Sequence, residues 1–145
     1  MLFELIATLC AGLFAGAAIY ITLVEHPARL ECGTELAATE FGPSYRRATL
    51  MQASLAAVGL AAALLAWIQG RGPLVLVGGL LLGAVIPFTL LVILPTKKRL
   101  LDSGLDRRSA EAAALLTRWG RLHAVRSVLS AVAFGLLIWG LARSV

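Results

Sequence analysis

Charge is what this chain has least of. Only 14% of its 145 residues are Asp, Glu, Lys or Arg, against roughly 25% in an ordinary soluble domain. With 59% apolar residues and a mean hydropathy of +0.87, there is too little polar surface to cover a globule, so the chain must take lipid as part of its solvent. Acid is missing from the interior of the apolar runs. Glu4 and Glu25 stand at opposite ends of the first one, which argues against a proton relay of carboxylates through the membrane. Cysteine is scarce as well, and Cys10 and Cys32 would be separated by most of a bilayer, beyond disulfide geometry. No ten-residue alternation of apolar and polar residues is present, which excludes a membrane β-barrel. The formal charge is +5, yet the basic residues form no stripe with interleaved aromatics, so nucleic acid is not an expected partner. The N-terminal run has no Lys or Arg before it, carries Glu4 and is longer than a signal-peptide core. It reads as a span.

What is there is four long apolar segments. A helix needs about 20 such residues to cross the hydrocarbon core, and the runs near 2–24, 48–68, 74–94 and 122–141 meet that length. Backbone groups must be paired in lipid, so each is read as a helix. The expected fold is all-α: one integral membrane domain over 1–145, an antiparallel bundle of four transmembrane helices. Gly12 and Gly16 on the first span, and Gly78, Gly79 and Gly83 on the third, provide faces for close helix approach. We read these as packing within one chain; a homo-oligomer is not indicated. Pro87 inside the third span predicts a kink.

The connectors are unequal. Glu25–Arg47 and Pro95–Arg121 together carry ten Lys or Arg, whereas the other side of the membrane has Arg71 and Arg143. The positive-inside rule then places both long connectors in the cytoplasm and both termini outside, in a bacterial-type inner membrane. Ser109 reads as an N-cap with Glu111 in the first turn, so the fourth helix is expected to start near residue 110 and project from the membrane.

Both histidines fall at the basic end. Trp119, His123 and Arg126 are spaced i, i+4, i+7 and share one helix face, and Tyr45, Thr49 and Gln52 repeat that spacing on the second helix. Glu25 and His26 end the first span at the same level, and Pro95-Thr96 ends the third. An Arg one turn below the boundary is costly unless paired, and Glu25 is the expected partner of Arg126 by depth. The segments "SYRRATLMQASL" and "RWGRLHAVRSVL" also align, and both preceding helices exit at a Pro followed by basic residues. This pattern is consistent with a duplicated helical hairpin.

The stretches "GLFAGAAIYITLVEHPAR", "PSYRRATLMQASL", "PFTLLVILPTKKRLL" and "LLTRWGRLHAVRSVLSAVAF" resemble the anthrone oxygenase-like family of small four-helix membrane proteins. The most specific element is the Trp-x-x-x-His-x-x-Arg step at Trp119, His123 and Arg126, followed by Pro95-Thr96. Bacterial members are mostly described as a domain of unknown function; fungal members are linked to oxidation of anthrones to anthraquinones. The resemblance implies an oxidoreductase at the membrane. Where such relatives often carry Asn after Pro-Thr, this chain has Lys97.

Two classes of function follow. One is a cofactor-independent oxygenase acting on an aromatic or quinol-like lipophilic substrate. A neutral His, with an ordinary pKa of about 6.5, would take a proton, with His123 the first candidate and His26 the second. Arg126 would stabilise the oxyanion and Glu25 would orient or neutralise. Trp119, Tyr45, Thr49, Gln52 and Thr96 would line the substrate site. The other class is a non-enzymatic protein that binds an anionic lipid or small amphiphile, as a transporter or accessory subunit. No metal is expected, since Glu25, His26 and His123 are too few ligands for a closed site. A haem held by His26 and His123 is the alternative cofactor. The charge asymmetry predicts that a reporter fused after Val145 is active only if it functions outside the cytoplasm; activity of a cytoplasm-dependent reporter there would reverse the orientation.

Overall fold

The computed structural model describes residues 1–144; Val145, the end of the expected domain, lies outside the described residues. Helix α1 spans Leu2–Tyr20 and passes through a π-helical turn, Ile21–Glu25, into α2, His26–Glu31. Helix α3, Thr34–Ile68, returns across the bundle. Helix α4, Pro73–Phe88, runs through a second π-helical turn, Thr89–Ile93, into α5, Leu94–Leu100, and α6 covers Ala110–Ser144. The chain is therefore all-α, an antiparallel bundle of four rods, each long and apolar enough to cross a membrane. Around the ring α1 packs on α3 and α6, and α4 packs on the same two, so α1 faces α4 and α3 faces α6 across the diagonals.

The distribution of side chains explains why this bundle needs lipid. Large aliphatic residues point outward, as with Leu5, Leu9 and Leu13 along α1 and Val125, Val128 and Val132 along α6. The interior is instead lined by small residues, including Ala7, Ala11, Ala18, Ala56, Ala63 and Ala133, with Phe14, Leu82 and Leu137 filling the gaps. Lipid tails are as apolar as Leu, so sequestering Leu gains nothing there, and close backbone approach supplies the packing. A Cβ at Gly78 would sit 2.7 Å from Leu137 of α6, one at Gly79 would overlap Ala63 of α3, and one at Gly83 would meet Leu60 at 2.7 Å. Gly12 faces Phe134 at 2.8 Å, whereas Gly16 meets nothing within 4 Å. The glycine faces thus serve packing within the chain, with Gly16 outside that role.

The helices run well past the apolar segments. The connector expected from Glu25 to Arg47 is helical apart from a break at Cys32 and Gly33, and Pro43 lies inside α3. Hydropathy reports where a helix meets water; it does not report where the helix stops. Here Gly33 stops it, at φ 94°, a left-handed conformation that glycine takes without strain. Gly70, φ 87°, does the same in the short turn between α3 and α4. Pro87 lies within α4, and the departure from α-helical bonding falls just after it, at Thr89–Ile93. In both π-helical turns the closing bond is five residues long, His26 N–H to the Ile21 carbonyl and Leu94 N–H to the Thr89 carbonyl. Pro27 and Pro95 each follow one residue later. A widened turn removes the clash between a proline ring and the carbonyl four residues back.

Helix α6 starts as the sequence suggested. Ser109 Oγ accepts from Ala112 N–H at 3.1 Å, and Arg99 grips Glu111 with two nitrogens at 2.7 and 3.0 Å. Its first turns stand on Phe41, Leu100 and Leu105 in a second apolar core at the basic end of the bundle. Cys10 and Cys32 are both free thiols. Helix spacing set by glycine predicts opposite outcomes for two similar changes. Gly79→Ala should lower stability by about 1–3 kcal/mol through overpacking against Ala63. Gly16→Ala should raise it by about 0.5–1 kcal/mol through helix propensity, and unfolding in detergent micelles reads both.

Candidate functional site

The polar residues of the bundle form a layer between the two apolar cores. Along α6 the order is Leu116 and Trp119 in the basic-end core, then His123, Arg126, Ser127 and Ser130, then Ala133 and Leu137 in the other. Along α3 the same sequence runs Phe41 and Tyr45, then Gln52, then Ala56. The i, i+4, i+7 spacing does bring its residues together. Tyr45, Thr49, Gln52, Trp119, His123 and Arg126 all line one small cavity of about 10 Å³, closed at the basic end by Arg29 and Ser44.

Arg126 is 6% exposed and donates from Nη2 to Gln52 Oε1 at 2.8 Å, across the α3–α6 diagonal. Its Cζ lies 5.4 Å from the centre of the Phe14 ring. The expected partner Glu25 is elsewhere: it is bound by Arg29 and accepts from Ser44 Oγ at 2.6 Å. Arg29 also pairs with Glu40 at 2.9 Å. Equal depth did not place Glu25 beside Arg126, because its azimuth on the first rod turns it toward α3. No ion pair among the described residues involves Arg126.

Three donors on this cavity have no acceptor among the described residues: Arg126 Nε, Gln52 Nε2 and Trp119 Nε1. Buried polar groups are nearly always paired, so a cavity presenting spare N–H groups and a guanidinium is shaped for an oxygen acceptor. Beyond Thr49 and Arg126, which form a common wall, lies a second cavity of about 100 Å³. It is an apolar slot bounded by Phe14, Ala53, Ala56, Val85 and Leu90, and Leu90 is exposed on the outer surface of the bundle.

Trp119 packs against both histidines. Its ring centre is 5.1 Å from that of His26 and 4.8 Å from that of His123, with Phe41 edge-on at 5.1 Å. His26 packs on Gly120, where a methyl group would overlap its Nε2. Thr96 is 3% exposed and its hydroxyl has no partner among the described residues, but it does not line either cavity. No group of three His, Cys, Asp or Glu among the described residues is arranged to hold a metal.

A family model described as anthrone oxygenase matches residues 41–136. The chain belongs to the anthrone oxygenase family. The match covers α3 from Phe41 through most of α6, and so includes Tyr45, Thr49, Gln52, Thr96, Trp119, His123 and Arg126. No curated protein and no solved structure matches the chain. Within this member of the anthrone oxygenase family, four residues at the site escaped the sequence reading. Arg29 was counted only as part of the basic connector, although Glu25 four residues before it is a recognisable helix ion pair. Ser44 lies one residue from Tyr45, Ser127 four residues from His123, and Thr22 four residues before His26; none has a periodic signal of its own.

The absence of an acid beside Arg126 predicts an unusual stability pattern. Arg126→Met should leave stability unchanged or raise it by up to about 2 kcal/mol, since an apolar side chain of similar length needs no desolvation. Arg29→Met should lower stability by about 1–3 kcal/mol, because Glu25 and Glu40 lose their common counterion. Thermal unfolding of the two variants in the same micelles compares them directly.

Proposed function

We propose that this member of the anthrone oxygenase family is a cofactor-independent oxygenase of an aromatic or quinol-like lipophilic substrate, working at the cytoplasmic face of a bacterial-type inner membrane with both termini outside. The observation that carries the reading is the set of unused donors of Arg126, Gln52 and Trp119 on one cavity that His123 also lines. The aromatic body would occupy the apolar slot, which it reaches from lipid past Leu90, with its oxygen turned toward Arg126 and Gln52.

The chemistry balances with dioxygen as the oxidant. His123 takes a proton from the acidic ring CH2, and the electron pair delocalises onto the substrate oxygen, where Arg126 and Gln52 stabilise the charge. The carbanion forms a C–O bond with dioxygen, which is reduced to a peroxide anion and receives the proton back from His123. Loss of the second C–H proton with cleavage of the O–O bond leaves a carbonyl and one water. His26, packed against Trp119, serves to hold the indole in place. Glu25 acts at one remove, by neutralising Arg29 at the mouth.

Oxygen uptake with anthrone as probe, using protein in micelles, tests the proposal. His123→Ala should lower turnover by about 10²–10⁴-fold and Arg126→Met by about 10²–10³-fold. Equal uptake by wild type and both variants would overturn the enzyme reading in favour of an amphiphile-binding role, and a Soret band in the purified protein would favour the haem alternative.

A further inference from the structure

His123 is tied at one nitrogen to a short chain of hydroxyls. Its Nδ1 lies 3.0 Å from Thr22 Oγ1, Thr22 Oγ1 lies 2.7 Å from Ser127 Oγ, and Ser127 Oγ lies 2.9 Å from the carbonyl oxygen of Ala18. His123 and Ser127 are 2% and 6% exposed, and Thr22 between them is half-buried. Thr22 sits in the first π-helical turn, and Ser127 is one turn beyond His123 on α6. The chain therefore crosses between the two helical rods three times and ends on α1.

Counting protons gives it a direction. A backbone carbonyl can only accept, so the last link takes the single proton of Ser127. The Thr22–Ser127 link must then take the single proton of Thr22. That leaves Thr22 with nothing to donate to the imidazole, and the first link is made only if Nδ1 carries a hydrogen. With the proton on Nε2 instead, one of the three contacts would hold no hydrogen at all: the imidazole lone pair against Thr22 at 3.0 Å, two oxygens at 2.7 Å, or the Ala18 carbonyl against a lone pair of Ser127 at 2.9 Å. The Ala18 carbonyl already accepts from Ile21 N–H, so the cost of the wrong tautomer is one forfeited hydrogen bond together with lone pairs opposed at contact distance.

We infer that the Thr22–Ser127 chain, anchored on the Ala18 carbonyl, locks His123 as its Nδ1–H tautomer and so makes Nε2 the nitrogen that exchanges protons with substrate. This rests on the proposed base role of His123, but the tautomer itself does not depend on turnover. Thr22 and Ser127 are positioning residues, not catalytic ones. Their arrangement has a functional advantage: when Nε2 gains a proton, Nδ1–H already donates in the same direction, so no hydroxyl has to turn. The site is organised for the protonated imidazole before it forms.

Nitrogen-15 spectroscopy of histidine-labelled protein in micelles at pH 8 is the test, with the His123 signals assigned by their loss in His123→Gln. The expected result is a protonated Nδ1 and an unprotonated Nε2. Thr22→Val removes the acceptor and should shift the tautomer ratio about fivefold toward Nε2–H, the size expected of one lost hydrogen bond, while Thr22→Ser restores it. Ser127→Ala frees the Thr22 proton to face the imidazole and should shift the ratio the same way; it serves as the second variant if Thr22→Val does not fold. An Nε2–H tautomer in the wild type, or an unchanged ratio in the variants, overturns the inference. Loss of the tautomer preference with oxygen uptake intact would leave the oxygenase proposal standing, whereas the expected tautomer with no effect of His123→Ala on uptake would sink only the base assignment.

Discussion

A single hydrogen bond across one diagonal of the bundle organises the interior: Arg126 to Gln52 at 2.8 Å. It joins two helices that face each other across a diagonal and touch little, α3 and α6, and it does so with a charged donor and a neutral acceptor. A guanidinium there must be desolvated without an opposite charge to compensate, which costs several kcal/mol even after relaxation. The apolar layers on either side offset that cost through packing. Below it lies the alanine-lined core, and above it the cluster of Phe41, Tyr45, Leu116 and Trp119. Stability alone would favour Leu or Met in place of the pair.

The ion-paired acids of the chain lie away from this layer. Glu25 and Glu40 share Arg29 at the mouth, and Glu35 and Glu111 hold Arg108 and Arg99 beyond it. At the opposite end Glu4, only 1% exposed, lies 3.1 Å from Arg71 Nε and 3.5 Å from the N-terminal amine. Ion pairs thus stitch both ends of the bundle and leave its centre electrostatically positive. In low dielectric such an imbalance acts over several ångströms. Under the proposed mechanism this imbalance favours a developing oxyanion in the cavity.

Much of this was legible beforehand. Hydropathy alone gave four rods, and the i, i+4, i+7 spacing of Tyr45, Thr49 and Gln52 and of Trp119, His123 and Arg126 gave the two walls of the cavity. Spacing within one helix fixes which residues share a face. Pairing between helices depends on rotation about each axis, which no single helix records, and so Glu25 was assigned to Arg126 when Arg29 holds it. Helix ends were misjudged for a related reason. The residues from Glu25 to Arg47 become polar because they leave the lipid, not because they leave the helix, and only Gly33 marks a true stop. Thr22 and Ser127 were invisible because single hydroxyls in an apolar run usually bond their own helix; here they bond each other.

The two π-helical turns carry a consequence for how chains of this kind are compared. A five-residue closing bond accommodates one residue more than an α-helical turn, so each turn at Ile21–Glu25 and Thr89–Ile93 behaves as a one-residue insertion hidden inside continuous helix. Each residue added or removed rotates everything beyond it by about 100°. A homologue lacking either extra residue would align without a visible loop gap, yet its exit helix would present a different face. Glu25, His26 and Arg29 lie beyond the first such point, and Thr96 and Lys97 beyond the second. Equivalences at those positions therefore have to be drawn from hydrogen-bond register rather than from sequence columns, whereas those along α3 and α6 need no such adjustment.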